Sequence, residues 1–161
     1  MPKRQLRIEV KHQRLICLDA GQPLATYPVS TGVRGTGEQF DSGCTPRGKH
    51  RIRLKIGEGC PLDSVFVARR ATGEIFSDAL AEKEPDRDWV LTRILWLTGI
   101  EPGLNRGGRV DTLKRYVYIH GTPEENLIGK PASHGCIRMR NRDLIELFDW
   151  VENGMLVEIV D

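Results

Sequence analysis

With 161 residues, 39% of them hydrophobic and 29% charged, the chain has the size and balance of one domain with its own apolar core. Its net charge of +2 is too small to suggest a nucleic-acid partner, since phosphate backbones call for clustered cations on one face. The basic start, "MPKRQLRIEVKHQRLICLDAG", is interrupted by Lys11, His12, Gln13 and Arg14 before any long apolar run. It reads as neither a secretory signal nor a membrane helix, so no membrane insertion is expected. The chain as written is expected in the cytoplasm, or in the periplasm if an export signal has been removed.

Short strands separated by turn residues are predicted through the first half, at 6–11, 14–18, 24–29, 50–56 and 64–68. "DAGQ" (19–22) turns the chain between the second and third. In "RGKHRIRLKI" (47–56), Ile52, Leu54 and Ile56 alternate with Arg51, Arg53 and Lys55. This period of two predicts one buried face and one charged outer face rather than a nucleic-acid patch. A helix near 78–84 is weakly signalled, and "DWVLTRILWLTG" (88–99) suits either strand or short helix.

"RYVYIHG" (115–121) is predicted as a strand ending at a histidine. A helix over 142–152 follows from the stripe Leu144, Leu147, Phe148 and Val151, with Asn141 as its N-cap and Gly154 beyond its end. Residues 155–160 close the chain as a strand. The expected fold is mostly β with one or two short helices, a single domain over 1–161. Two glycine-rich loops, 30–48 and 99–111, are either functional or mere connections. Cys17, Cys44, Cys60 and Cys136 are scattered without CxxC spacing, which argues against a disulfide framework and fits a reducing compartment.

The chemistry concentrates at "YIHG" (118–121) and "ASHGCIRMRN" (132–141). A cysteine is a useful nucleophile only as thiolate, and near neutrality that needs a base such as imidazole. His134 is close to Cys136 in sequence but poorly placed to reach its sulfur, whereas His120 can arrive from a neighbouring strand end. Gly121 and Gly135 let backbone N–H groups approach a substrate, as an oxyanion hole requires. No acidic residue near in sequence is available to orient the base, so that role falls to a backbone carbonyl. One alternative is zinc held by His120, His134 and Cys136, with Cys44 or Cys60 as fourth ligand. The spacing matches no common zinc module.

"YIHG" followed by "SHGCIRM" resembles the signature of the L,D-transpeptidase catalytic domain, the YkuD-like family of bacterial cysteine enzymes. "YPVSTG" (27–32) and "TPRGKHRI" (45–52) extend the resemblance over most of the chain. It implies a sandwich-like β fold with the site at strand ends, and neither metal nor cofactor. It makes Cys136 the nucleophile, His120 the base and Gly121 the carrier of the orienting carbonyl, with Ser133, His134 and Gly135 shaping pocket and oxyanion hole. Arg138 stands where the family often has Asn.

The implied substrates are peptidoglycan stem peptides or soluble muropeptides. Cys136 would attack the carbonyl of the diamino acid and expel D-alanine. An amine acceptor then gives a 3–3 cross-link, and water gives a trimmed tripeptide. Arg138, Arg106 and Tyr118 are candidates to bind the substrate, while Arg93 and Arg140 read as ordinary surface charges. A catalytically silent wall-peptide binder is the alternative from another class.

Overall fold

Most segments between the turn residues alternate apolar and polar side chains, and such segments gain most by pairing into a sheet with one face covered. In a computed structural model, which describes residues 3–161, they form ten strands: β1 (Arg4–Glu9), β2 (Arg14–Asp19), β3 (Gln22–Ser30), β4 (Gly48–Ile56), β5 (Ser64–Val67), β6 (Arg70–Ile75), β7 (Val90–Gly99), β8 (Tyr118–Gly121), β9 (Ile137–Met139) and β10 (Leu156–Val160). Two helices join them, α1 (Asp78–Lys83), capped by Ser77, and α2 (Asn141–Trp150).

All ten strands belong to one sheet, ordered β4-β10-β1-β2-β3-β9-β8-β7-β5-β6, and β4 also pairs with β7. Eight strands therefore close into a ring, and the β5–β6 hairpin hangs from β7. The sandwich expected from the resemblance is thus one sheet curled onto itself, with side chains filling its interior. Leu6, Ile8, Leu15, Val29, Ile52, Leu95, Leu97, Ile119, Ile137 and Met139 form that core, and Leu144, Leu147, Phe148 and Val151 of the α2 region pack into it. A smaller cluster of Phe66, Ile94 and Tyr118, with Trp96, Cys60 and Cys136 against it, is built between β5, β7 and β8.

Several elements differ from expectation. The segment left open between strand and helix is strand from Val90 to Gly99, and β6 is an edge strand whose mostly exposed side chains gave no apolar signal. The alternation of β4 breaks at a bulge between Ile52 and Leu54. Leu54 consequently faces solvent, while Lys55 turns inward and donates to Val151 O at 2.8 Å. The strand predicted over 115–121 begins only at Tyr118, because residues 112–116 turn, with Tyr116 at φ 56. Asn141 is not the N-cap of α2. Arg140 occupies that position, and the Asn141 amide is buried and bonded to residues before β8 and after it.

Candidate active site

β8 and β9 lie side by side in parallel, with Ile119 opposite Ile137 and His120 opposite Arg138. Ile119 and Ile137 enter the core, so strand alternation sends Tyr118, His120 and Arg138 to the other face. Cys136 directly precedes β9 and continues this face, diagonal to His120. Two residues of rise and one strand spacing separate such positions by about 8 Å of backbone, within reach of an imidazole and a thiol pointing toward each other. The half-buried Cys136 Sγ accepts the Tyr118 N–H at 3.3 Å, and its thiol faces Tyr116 O at 3.5 Å.

The turn carrying Cys136 is held by hydroxyls. Ser133, fully buried, accepts the Gly135 N–H at 3.1 Å and donates to Cys136 O at 2.5 Å. Gly135 has φ 122, and a Cβ there would press on Cys44 O. The loop 30–48 is a scaffold for this turn rather than a mere connection. Thr31 O accepts from Ala132 and Ser133, and Thr45 Oγ1 bridges the Gly32 N–H at 2.8 Å and Gly135 O at 3.0 Å.

His120 is buried, and its Nδ1 lies 2.7 Å from Gly121 O. A carbonyl can only accept, so Nδ1 carries the proton and Nε2 of the neutral ring is left as an acceptor. Burial pushes the His120 imidazolium well below the ordinary range, partly offset by the Gly121 carbonyl, while the Arg138 guanidinium pushes it lower still. Burial pushes the Cys136 thiol up, against the downward pull of the Tyr118 N–H, Arg138 and Arg115. Burial thus favours the neutral form of both thiol and imidazole.

Gly121 is needed for close approach. A Cβ there would sit on Asn141 Oδ1 and 2.7 Å from Leu91 O. Asn141 is itself tied to Thr92 Oγ1 at 2.6 Å and Thr122 O at 2.9 Å. Thr92 occupies a bulge of β7 at φ 76, a strained conformation for a β-branched residue.

The predicted residues divide into those gathered here and those that are not. Ser133, Gly135, Gly121, Tyr118 and Arg138 gather around Cys136 and His120. The Arg138 guanidinium, nearly buried, is already engaged by Asp88 at 3.2 Å and Glu124 at 3.7 Å. His134 points outward, with 74% of its side chain exposed and Asp88 3.6 Å away. Arg106 is exposed on its loop and does not line the cleft described below. Arg93 is not a surface charge, being buried over the Phe148 ring and bonded to Cys60 O. Arg140 is exposed. Among the described residues no three His, Cys, Asp or Glu side chains converge to hold a metal ion.

A cleft of about 450 Å³ lined by Phe40, Asp41, Lys114, Arg115, Tyr116 and His134 borders the cysteine turn. A larger cavity of about 570 Å³, between Lys3, Arg4, Arg51 and Glu152, holds no nucleophile. Arg115 and Asp88 had no sequence signal. Arg115 turns inward from the 112–116 turn and donates to Cys44 O at 2.7 Å and Gly37 O at 3.3 Å.

The family model of the YkuD L,D-transpeptidase catalytic domain matches residues 3–159. Over 46 residues, 29% of this chain and 28% of the relative, the chain is 52% identical to a Bacillus licheniformis protein that carries the name of an L,D-transpeptidase, YkuD. An L,D-transpeptidase structure from Mycobacterium smegmatis superposes with a TM-score of 0.59 at 18% identity, covering 99% of this chain and 59% of that one. L,D-transpeptidase 3 from Mycobacterium tuberculosis, solved with a faropenem-derived adduct, gives 0.59 at 14%, covering 99% of this chain and 61% of that one. These likenesses show a shared fold, and the chain spans about three fifths of those structures.

Proposed function

Because the chain belongs to the family of L,D-transpeptidase catalytic domains, we propose that it is a cysteine acyl-transferase acting on peptidoglycan stem tetrapeptides. The observation that carries this reading is the placement of Cys136 and His120 on one sheet face, with the ring oriented by Gly121 O so that Nε2 is the basic nitrogen.

Burial favours the neutral form of both groups before substrate arrives. When the carbonyl of the diamino acid reaches Sγ, His120 Nε2 takes the thiol proton as the S–C bond forms. The His120 imidazolium then gives that proton to the leaving nitrogen of D-alanine as the C–N bond breaks. A thioester on Cys136 remains. The Gly135 N–H is already bonded to Ser133, so the other amides of the 134–136 turn are the ones available to the oxyanion. The low imidazolium pKa makes His120 a weak base but a strong acid, suited to the amine-expelling step.

The acceptor decides the product: an amine of a second stem gives a cross-link, and water gives carboxypeptidase activity. A carbapenem is the probe for the first half-reaction. Incubation should add the intact drug mass to the protein, and no mass should appear on Cys136→Ala. An unmodified wild-type protein would count against an accessible, activatable thiol.

A further inference from the structure

The β5–β6 hairpin closes through a two-residue turn, Ala68 and Arg69, both left-handed with φ of 48 and 65. Such turns ordinarily carry Asn or Gly, because a Cβ is disfavoured there. Here the turn folds Arg69 back over the sheet. Its Cζ lies 4.7 Å from the Tyr116 ring centroid and 5.0 Å from that of Trp96, and Nη1 donates to Tyr118 Oη at 3.0 Å. Tyr116 and Tyr118 are the two residues whose backbone touches Cys136 Sγ.

The three guanidiniums associated with this site differ in what they have left to give. Arg138 faces Asp88 and Glu124. Arg115 gives its N–H groups to Cys44 O, Gly37 O and Ser42 Oγ. Arg69 has no carboxylate within ion-pair distance among the described residues, and one of its five donors is placed, on Tyr118. Contact with two rings and the Tyr118 hydroxyl restrains the side chain in advance, so a carboxylate can meet it without reordering a long side chain.

We propose that Arg69 is a specificity-determining residue that receives a carboxylate of the substrate beside the scissile bond. This rests on the acyl-transfer reading above. The two residues flanking the scissile bond offer two sources, the terminal D-alanine carboxylate and the side-chain carboxylate of a diaminopimelate-type third residue. Either would make two parallel N–H···O bonds with the fork.

The test compares wild type, Arg69→Gln and Arg69→Lys on three disaccharide-tetrapeptides: both carboxylates free, the C-terminal one as carboxamide, and the diamino-acid one as carboxamide. With both free, Arg69→Gln should lower kcat/KM by about tenfold or more, chiefly through KM, and Arg69→Lys should recover part of the loss. On the carboxamide that removes Arg69's partner, wild type and Arg69→Gln should agree within about twofold, which also identifies the source. Equal losses on all three would overturn the proposal and leave Arg69 as a clasp of the hairpin. If wild type turns over none of them, the acyl-transfer reading fails separately. Calorimetric binding to Cys136→Ala then decides on Arg69: preference for the free acids must vanish when Arg69→Gln is added, and its persistence overturns the proposal.

Discussion

Replacing Thr45 by Val removes one hydroxyl and nothing else of consequence in volume. That hydroxyl is fully buried, accepts the Gly32 N–H at 2.8 Å and donates to Gly135 O at 3.0 Å. Valine leaves two buried backbone groups without partners, each costing about 1–3 kcal/mol. A total of about 2–6 kcal/mol is a large share of the stability of a domain this size, and corresponds to a Tm lower by roughly 4–24 °C. The loss falls on the strut between the loop 30–48 and the Cys136 turn, so carbapenem acylation should slow even at temperatures where the variant is folded. Thermal unfolding followed by circular dichroism reads the first effect, and intact-mass time courses at 20 °C read the second. Thr45→Ser keeps the hydroxyl and should stay within about 1 kcal/mol of wild type. A Thr45→Val protein as stable as Thr45→Ser would refute the view that this hydroxyl holds the site together.

Three further outcomes are expected. Arg138 depresses the imidazolium of His120, so Arg138→Gln should move the acid limb of the kcat/KM profile to higher pH, and an unmoved limb would mean that another group sets it. Burial holds His50 at about 4, below its ordinary 6.5. The unfolded chain therefore binds the proton first, and about 3 kcal/mol of stability, complete above pH 6.5, is lost as pH falls through 4. His120 adds to this loss with the same sign. Urea midpoints at pH 7 and 4.5 should show the fall, reduced in His50→Gln. Gly121→Ala forces a Cβ onto Asn141 Oδ1 and toward Leu91 O, and should destabilise by about 3 kcal/mol or more while abolishing acylation; wild-type behaviour would show that the strands part easily there.

What could be read from the sequence, and what could not, follows the range of the forces involved. The strands of the first half were legible because local alternation makes them, and "YIHG" with "SHGC" was legible because reactive types and glycines sit within a few residues. β6 was not, since it owes its existence to pairing with β5 rather than to its own side chains. Nor was the end of alternation in β4, where a bulge turns Lys55 inward to meet Phe148 and Val151 O. Asn141 looked like a cap from its neighbours, yet its amide is claimed by Thr92 and Thr122, far away in sequence. Arg106, Arg115 and Arg69 are indistinguishable as residue types. Only tertiary structure shows that the first stays outside the cleft, the second lines it, and the third lies against Tyr116 and Trp96 without a carboxylate partner.

The central claim is that Cys136 and His120 together transfer the acyl group of a stem tetrapeptide. It is tested most directly by mass spectrometry of disaccharide-tetrapeptide incubated with wild type, Cys136→Ala and His120→Ala. Wild type should release D-alanine, give cross-linked dimer or tripeptide according to acceptor, and carry a thioester-linked tripeptide on Cys136. Both variants should yield neither product nor adduct near pH 7. D-Alanine release by the folded Cys136→Ala protein, or none by wild type, would contradict the account.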